Sequence, residues 1–244
     1  MKNKFKISII TVTKNSEKFL QETIDSLSKQ THKNFEHIVI DGASSDKTLD
    51  IIKKNSNKIT RWISEPDQGL YYAMNKGLNL CTGDIVGILN SDDIYLPNAL
   101  SIVNEYFLKN EIDFLFGSVF KHKLMHGFHP KKIRWTFGFY TTHSVGFFIK
   151  KISQDKIGPY NTKYKWSADY DNFYKMIVKY KMIGMATTKD EIFGIFRQGG
   201  VSASIRYIDF LKENTQIRLD NGQNRIIVFV IFILRILRNF KKLF

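Results

Sequence analysis

Cysteine is nearly absent from this chain of 244 residues, in which Cys81 is the only one. A single cysteine excludes an internal disulfide framework and a cysteine-rich zinc site, and it fits a reducing compartment such as the cytosol. Proline is also scarce, with 4 residues, while 43% of the residues are hydrophobic. This composition argues against intrinsic disorder and predicts one globular domain with a substantial core.

Long apolar runs are missing as well. The run Ile226–Leu234 has nine residues, whereas a helix that crosses a bilayer needs about 20. Because basic residues follow this run, Arg225–Phe244 is predicted to form an amphipathic helix that lies on an anionic membrane surface. A helix that packs against the core or against a second subunit is the alternative, and the oligomeric state stays open.

Acidic residues are scarce in the middle of the chain. Between Phe120 and Lys165, ten lysines or arginines stand against the single acid Asp155, and the net charge of the whole chain is +14. A phosphorylated substrate, an anionic membrane or a nucleic acid would each complement this charge. Generic solubilising charge on the surface is the alternative explanation.

The first 119 residues alternate between strand and helix patterns, which predicts an α/β fold with a largely parallel, doubly wound sheet. The predicted strands are Lys6–Thr13, Glu36–Ile40, Thr60–Ser64, Asp84–Leu89 and Asp113–Val119, and the predicted helices are Ser16–Gln30, Thr48–Lys54, Leu70–Leu80 and Pro97–Lys109. The later segments Ser167–Tyr180 and Ile183–Ile195 predict a helix and a strand of the same domain.

Polar segments follow four of the predicted strands. Ligands of parallel sheets bind beyond the carboxyl ends of the strands, so Thr11–Asn15, Asp41–Asp46, Glu65–Gly69 and Asn90–Asp93 are expected to surround one crevice. Asp92 and Asp93 would be costly neighbours near a sheet without a cation. A divalent metal that bridges to a diphosphate would compensate for them, whereas an isolated pair of acids is more often an exposed turn.

Five motifs occur together and in order: SIITVTKN, IDGASSDKT, EPDQGLYYAMNKG, GDIVGILNSDD and SADYD. Between Lys6 and Ser202 the chain thus resembles the inverting glycosyltransferases of family 2, which have the GT-A fold. The resemblance implies a Rossmann-like catalytic domain at 1–204, with a nucleotide-sugar half at 1–119 and an acceptor half at 120–204. Residues 205–244 would form a C-terminal helical appendage that is membrane-proximal or oligomerising.

The resemblance also implies roles for individual residues. Asp93 would bind the metal, Mg²⁺ or Mn²⁺, and Asn90 stands where the family often has an acid. Asp169 would be the catalytic base, with Asp171 as the alternative, although Ala168 replaces the first acid of the family's usual pair. The implied donor contacts are Thr11, Val12, Thr13, Asn15, Asp41, Asp67, Gly69, Asn75, Ser91 and Asp92, and the candidate acceptor or phosphate contacts are His143, Trp166, Asp171 and Arg197.

These implications together predict a metal-dependent, inverting hexosyl- or N-acetylhexosaminyltransferase. It would transfer a sugar from a nucleoside diphosphate, with UDP expected, to a hydroxyl of a glycan or lipid-linked saccharide during the synthesis of surface polysaccharide. The expected location is peripheral, at the cytoplasmic face of the inner membrane.

Three other functions fit the sequence less well than a transferase. A nucleotidyltransferase would need a phosphate loop rich in glycine and basic residues, which Val12–Asn15 does not offer. A non-catalytic nucleotide-sugar-binding protein would leave Asp93 and Asp169 without a role. A nucleic-acid-binding protein would use the basic middle segment but would not explain the acids at the strand ends.

Overall fold

Eleven strands and eight α-helices form the described part of the chain, which comprises residues 4–135, 142–197, 199 and 205–240 of a computed structural model. The strands are β1 (Ile7–Thr13), β2 (Phe35–Asp41), β3 (Arg61–Ser64), β4 (Ile85–Ile88), β5 (Ile94–Tyr95), β6 (Phe114–Phe116), β7 (Ser118–Phe120), β8 (Leu124–Met125), β9 (Phe147–Lys150), β10 (Gly184–Ala186) and β11 (Ile192–Ile195). The helices are α1 (Leu20–Ser28), α2 (Thr48–Lys54), α3 (Leu70–Leu80), α4 (Ala99–Lys109), α5 (Lys151–Ile157), α6 (Ala168–Tyr174), α7 (Tyr207–Asp220) and α8 (Arg225–Arg238).

Seven strands form the central sheet in the order β10-β6-β9-β4-β1-β2-β3. Every neighbouring pair is parallel except the two that include β9, which runs antiparallel to β4 and β6. The predicted α/β fold with a mostly parallel sheet is confirmed. A second sheet, in the order β5-β11-β7-β8, lies next to the first and was not predicted.

Alternate residues of β1 point to opposite faces of the central sheet, as in any strand. Ile10 joins the core cluster that contains α3 and α6, whereas Ile7 and Ile9 join the cluster that contains α4. Gly77 lets α3 approach the sheet closely, because a Cβ at this position would lie 2.4 Å from Cγ2 of Ile10. This close packing sets the first turn of α3 beside the carboxyl ends of the strands.

Two predicted strands are wrong as single elements. Residues Asp113–Val119 divide into β6 and β7, which belong to different sheets, and Ile183–Ile195 divides in the same way into β10 and β11. Gly117 marks the first crossing point, because a Cβ there would lie 2.1 Å from the ring of Phe193. The predicted helices Ser16–Gln30 and Ser167–Tyr180 are also shorter than expected, at Leu20–Ser28 and Ala168–Tyr174, the latter followed by a π-helical turn.

The C-terminal helix α8 turns one apolar face to solvent. Val228 and Ile231 are buried against the domain. Four large apolar side chains on the outer side are between 59% and 73% exposed, namely Ile226, Phe229, Leu234 and Leu237. In the part of the chain that the structure describes, no helix is both long enough and apolar enough to cross a membrane. Lys241 and Lys242, two of the basic residues in the predicted amphipathic helix, lie outside the described residues.

One buried acid holds the amino-terminal edge of the sheet together. Glu36 is 2% exposed, and its carboxylate accepts hydrogen bonds from Ser8 Oγ (2.5 Å), Thr82 N (2.6 Å) and Lys6 Nζ (2.8 Å). Burial opposes ionisation, but these donors outweigh it and lower the pKa of Glu36 from 4.5 to about 2. The ionised carboxylate therefore links β1, β2 and the loop before β4.

Glu36→Gln is expected to lower the free energy of unfolding at pH 7 by about 1–3 kcal/mol, because every donor loses a charged acceptor and those on the replaced oxygen meet an NH₂ group. The folded-state pKa lies below the ordinary value, so the stabilisation by the carboxylate is complete above pH 4.5. It is lost as the pH falls from 4.5 through about 2. Urea denaturation at several pH values should therefore show the difference between variant and wild type shrinking in this range.

The matched control is Glu105→Gln, because Glu105 is exposed on α4 and pairs with Lys109 one turn away. This control should stay close to wild type at every pH. An unfolding free energy of Glu36→Gln equal to that of wild type at pH 7 would contradict the assigned role.

Candidate active site

A cleft of about 1380 Å³ opens where β1, β3 and β4 end. Its lining residues are Val12–Phe19, Asp46, Asp67–Ala73, Asn90–Asp92, Lys121, Thr162, Tyr164–Trp166, Phe196 and Gly199. The structure thus brings members of all four predicted polar segments to one cleft. It also adds residues from the second half of the chain that the sequence did not single out.

Two turns shape the side of the cleft on which most of the predicted donor contacts lie. Asn15 has a left-handed backbone, with φ of 51°, and its Oδ1 accepts a hydrogen bond from Ser45 N at 2.9 Å. Asp67 accepts one from Gly69 N at 2.9 Å. A Cβ at Gly42 would lie 2.8 Å from Oδ2 of Asp67, so the missing side chain makes room for this carboxylate. Six of the predicted donor contacts line the cleft, as a donor site would require, namely Val12, Thr13, Asn15, Asp67, Gly69 and Ser91.

Three other predicted donor contacts lie behind the cleft wall. Thr11 and Asp41 are fully buried, and the Asp41 carboxylate accepts a hydrogen bond from Ser44 Oγ at 2.5 Å. Asn75 binds the backbone of Tyr160 at both ends of its amide, at 2.9 and 2.8 Å. These side chains position the wall in this structure, and direct contact with a ligand stays a prediction for each of them.

The two adjacent acids Asp92 and Asp93 point in different directions. Asp92 lines the cleft and is half-buried, whereas Asp93 is fully buried. The Asp93 carboxylate accepts hydrogen bonds from Ser144 Oγ (2.7 Å) and from the backbone N–H of Arg197 (3.0 Å). Burial, and after it the charge of Asp92, raises the pKa of Asp93 to about 7. Burial also raises the pKa of Asp92, against the opposing charge of Arg197.

The donor set at Asp92 fits a divalent cation that arrives with a diphosphate. Its carboxylate faces the cleft and accepts no hydrogen bond from another side chain among the described residues. Oxygen-ligated cations such as Mg²⁺ and Mn²⁺ can bind through one or two protein carboxylates plus substrate phosphates. Within the described ranges, no group of three or more His, Cys, Asp or Glu could hold a metal. Metal binding at Asp92 would therefore depend on the phosphates of the ligand.

Asp169 lies directly behind the opposite wall of the cleft, in the first turn of α6. Its Oδ1 accepts a hydrogen bond from the Tyr71 hydroxyl at 2.9 Å, and this hydroxyl is also 3.1 Å from the carbonyl of Trp166. Both Tyr71 and Trp166 line the cleft, and Asp169 itself is half-buried. Tyr71 was not singled out from the sequence. The available signal was its position in the first turn of the helix that follows Asp67.

Asp171, the alternative base, faces away from this wall. It is 1% exposed, lies 2.6 Å from Lys175 Nζ and accepts a hydrogen bond from Asn221 Nδ2 at 2.7 Å. Two residues in an α-helix are separated by about 200° around its axis, so Asp169 and Asp171 lie on opposite sides. The geometry favours Asp169 as the acid that serves the cleft.

The remaining candidates are held by neighbouring side chains. His143 Nε2 lies 2.7 Å from the Tyr160 hydroxyl, and burial lowers the pKa of His143, opposed by the charge of Asp169. Arg197 donates from Nη2 to Glu22 and lies over the ring of Phe19, which lines the cleft. Its buried Nη1 has no hydrogen-bond partner in the described part of the chain. Neither Arg197 nor His143 is among the described residues that line the cleft, so contact of either with a ligand stays a prediction.

Comparison with known proteins identifies one family. The model of glycosyl transferase family 2 matches residues 8–178. A PGL/p-HBAD biosynthesis glycosyltransferase of Mycobacterium bovis is 28% identical over 224 residues, which cover 84% of this chain and 82% of that protein. The UDP-Glc:alpha-D-GlcNAc-diphosphoundecaprenol beta-1,3-glucosyltransferase WfgD of Escherichia coli is 34% identical over 113 residues, which cover 46% of this chain and 45% of that protein.

Solved structures of the same fold include TarS 1–349 of S. aureus in complex with UDP. It has a TM-score of 0.72 and 20% identity, and the match covers 97% of this chain and 72% of that one. The mannosyltransferase PcManGT of Pyrobaculum calidifontis, in complex with GDP-Man and Mn²⁺, has a TM-score of 0.66 and 16% identity, over 95% of this chain and 69% of that one. At these identities the likeness establishes the fold, which is the predicted GT-A type.

Proposed function

The chain belongs to glycosyltransferase family 2, and on this premise we propose that it transfers a sugar from UDP to a hydroxyl of a lipid-linked saccharide. The observation that supports this proposal most directly is the cleft at the strand ends. Asp67 and Asp92 lie on its donor side, and Tyr71 and Trp166 stand in front of Asp169 on the other.

Two observations support a uridine nucleotide as the donor. TarS was solved with UDP, and the name of the E. coli relative specifies UDP-Glc.

The cleft of about 1380 Å³ exceeds the roughly 300–1,000 Å³ of a site for one small ligand, so it has room for a donor and an acceptor together. The same relative acts on a diphosphoundecaprenol-linked sugar, which supports a lipid-linked acceptor here.

We assign the metal contact to Asp92, whereas the sequence motif predicted Asp93. Both oxygens of Asp93 accept hydrogen bonds inside the protein, while Asp92 presents its carboxylate to the cleft. The Mn²⁺ bound to PcManGT supports a divalent ion in this fold. When bound, such an ion would neutralise charge on the departing diphosphate. The contribution of this chain is to present Asp92 at the end of β4 with Arg197 nearby.

Asp169 is the group that would take up the proton of the acceptor. The acceptor oxygen forms a bond to the anomeric carbon as the bond from that carbon to the diphosphate breaks, and the electron pair leaves with UDP. The hydroxyl proton passes to Asp169. The hydrogen bond from Tyr71 fixes Oδ1 and leaves Oδ2 for the acceptor. Attack from the face opposite the leaving group inverts the anomeric carbon.

Asp92→Asn is expected to weaken Mn²⁺-dependent binding of UDP by at least about tenfold, or 1.4 kcal/mol, because the cleft-facing carboxylate is lost. Calorimetry of UDP binding with Mn²⁺ and with EDTA measures this effect. Titrations with dTDP, GDP and ADP under the same conditions test whether uracil is preferred.

The matched variant is Asp93→Asn, which keeps an oxygen for the backbone N–H of Arg197 and should retain the metal-dependent binding. The opposite pattern, with binding lost in Asp93→Asn and retained in Asp92→Asn, would restore the assignment predicted from the sequence. Failure of all four nucleotides to bind wild type would refute the donor site.

Asp169→Asn should lower kcat by about 10²–10⁴-fold, because the acceptor proton loses its base, while the UDP affinity stays close to wild type. Tyr71→Phe should lower kcat less, by about tenfold, since the carboxylate remains but one oxygen is no longer held. UDP release from UDP-sugars measures both effects, with water replacing the unidentified acceptor.

Asp171→Asn is the control for the second acid of α6. Its folded fraction should keep most of the turnover, because Asp171 contacts Lys175 and Asn221 and does not face the cleft wall. Greater loss of turnover in this variant than in Asp169→Asn would reverse the assignment of the base.

We further propose that α8 binds an anionic membrane surface. Its exposed apolar residues recur at helical spacing along one face, and Arg225 and Arg238 are exposed at its two ends. A basic amphipathic helix of this kind lies in the plane of the lipid headgroups and buries its apolar side. Such binding would bring the cleft to the headgroup of a lipid-linked acceptor.

The double variant Leu234→Glu/Leu237→Glu should weaken binding to phosphatidylglycerol-containing vesicles by at least about a hundredfold, because burial of each leucine contributes about 1.5–3 kcal/mol. Co-sedimentation with these vesicles and with phosphatidylcholine vesicles measures the loss and its dependence on charge.

The matched control is Leu108→Glu/Ile152→Glu, which makes the same chemical change at two exposed apolar residues of α4 and α5. It should lose little binding. Unchanged binding of the α8 variant would overturn the membrane proposal. A dimer of wild type that the α8 variant dissociates, without any binding to vesicles, would assign this face to a second copy.

A further inference from the structure

Helix α7 lies beyond residues 8–178, the segment that matches the family model. Polar side chains recur on one of its faces at a spacing of seven residues, since Glu213 and Asn214 are followed by Asp220, the last residue of α7, and by its C-cap Asn221. Seven residues are close to two turns of a helix, so all four residues lie on the same side. Each of them binds a residue between Lys163 and Asp171. That segment includes the cleft wall and the first turn of α6.

Glu213 binds the cleft wall most directly. Its Oε1 accepts a hydrogen bond from Lys165 N at 2.5 Å and its Oε2 accepts one from Trp166 N at 2.8 Å. Residues 165 and 166 belong to no helix or strand, so their backbone has no regular ladder to hold it. A carboxylate that accepts two adjacent N–H groups fixes both the position and the direction of this short segment.

Two further side chains of α7, one on each side of the Glu213 contact, bind the same segment. The Asp220 carboxylate accepts a hydrogen bond from the Tyr164 hydroxyl at 2.6 Å, and this bond is the largest cause that lowers the pKa of Asp220 to about 2. Asn214 Nδ2 lies 3.2 Å from the Oγ of Ser167, the residue that precedes α6. The wall and the start of α6 are therefore attached to α7 at successive positions.

We propose that Glu213 is a positioning residue for the transfer reaction. It holds Lys165 and Trp166, which line the cleft. The Trp166 carbonyl in turn lies 3.1 Å from the Tyr71 hydroxyl that binds Asp169. Glu213 itself contacts no reacting atom and acts through this chain of contacts. The inference rests on the proposed function, because it takes Asp169 as the base.

Glu213→Ala is expected to lower kcat for UDP release from a UDP-sugar by about 10- to 100-fold, since small displacements of a catalytic group are costly. The dissociation constant of UDP should change by less than about twofold, because the donor side of the cleft is built by other elements. Glu213→Gln keeps one carbonyl oxygen for one of the two N–H groups, so its kcat should lie between those of wild type and Glu213→Ala.

Hydrogen exchange provides a second measurement on the same variants. The amides of Lys165 and Trp166 should exchange at least about tenfold faster in Glu213→Ala. The matched control is Lys212→Ala, which removes an exposed neighbouring side chain that does not bind this segment, and it should leave both kcat and exchange unchanged.

Wild-type kcat in Glu213→Ala, with faster exchange of the two amides, would overturn the inference and leave the proposed function intact. Equal loss of UDP affinity and kcat would also overturn it, since Glu213 would then serve the fold alone. If wild type releases UDP from no UDP-sugar, the proposed function fails on wild type alone, and the positioning role fails with it.

Discussion

The buried carboxylate of Asp93 is the contact on which the cleft depends. It joins Ser144, which precedes β9, to the backbone of Arg197, which follows β11. It thereby ties the two sheets together where the cleft opens. Burying an ionised group is costly even when it is hydrogen-bonded, and burial accordingly raises the pKa of Asp93 despite its two hydrogen bonds. The adjacent charge of Asp92 adds to it, so the pair is electrostatically suited to a cation on the cleft side.

The two sides of the cleft are held by different kinds of contact. On the donor side, the loops continue directly from parallel strands, and Asp41 and Asn15 fix them with hydrogen bonds to nearby serines. On the opposite side, residues 165 and 166 of the wall belong to no helix or strand and bind the Glu213 side chain of α7. Under the proposed function, changes in α7 would therefore act on the acceptor side and leave the donor side in place. This division matches the chemistry of a transferase, in which donor and acceptor are recognised independently.

Local patterns were sufficient to predict most of the elements from β1 to β4. Helices α2 and α3 have the predicted bounds, and the ends of β1, β2 and β3 differ from the predicted ends by at most one residue, because these elements alternate regularly along the chain and pack against their sequence neighbours. The second half depends on pairing between distant segments. Gly117 sends the chain from one sheet to the other only because Phe193, 76 residues later along the printed sequence, packs where a side chain would be. No local pattern contains that information.

The site was predictable to the level of the segment but not of the individual acid. The rule that ligands bind at strand ends identified Asn90–Asp93, yet which of two adjacent acids faces the cleft depends on Ser144 and Arg197, both remote in sequence. For Asp169 and Asp171, helical geometry requires that only one can face a given surface. Asn221 and Lys175 bind the Asp171 carboxylate on the far side of α6. Asp169 is therefore the acid of this helix on the cleft side, where it binds Tyr71. Identifying the partner of each acid is therefore what distinguishes a carboxylate that serves the fold from one that can serve the reaction.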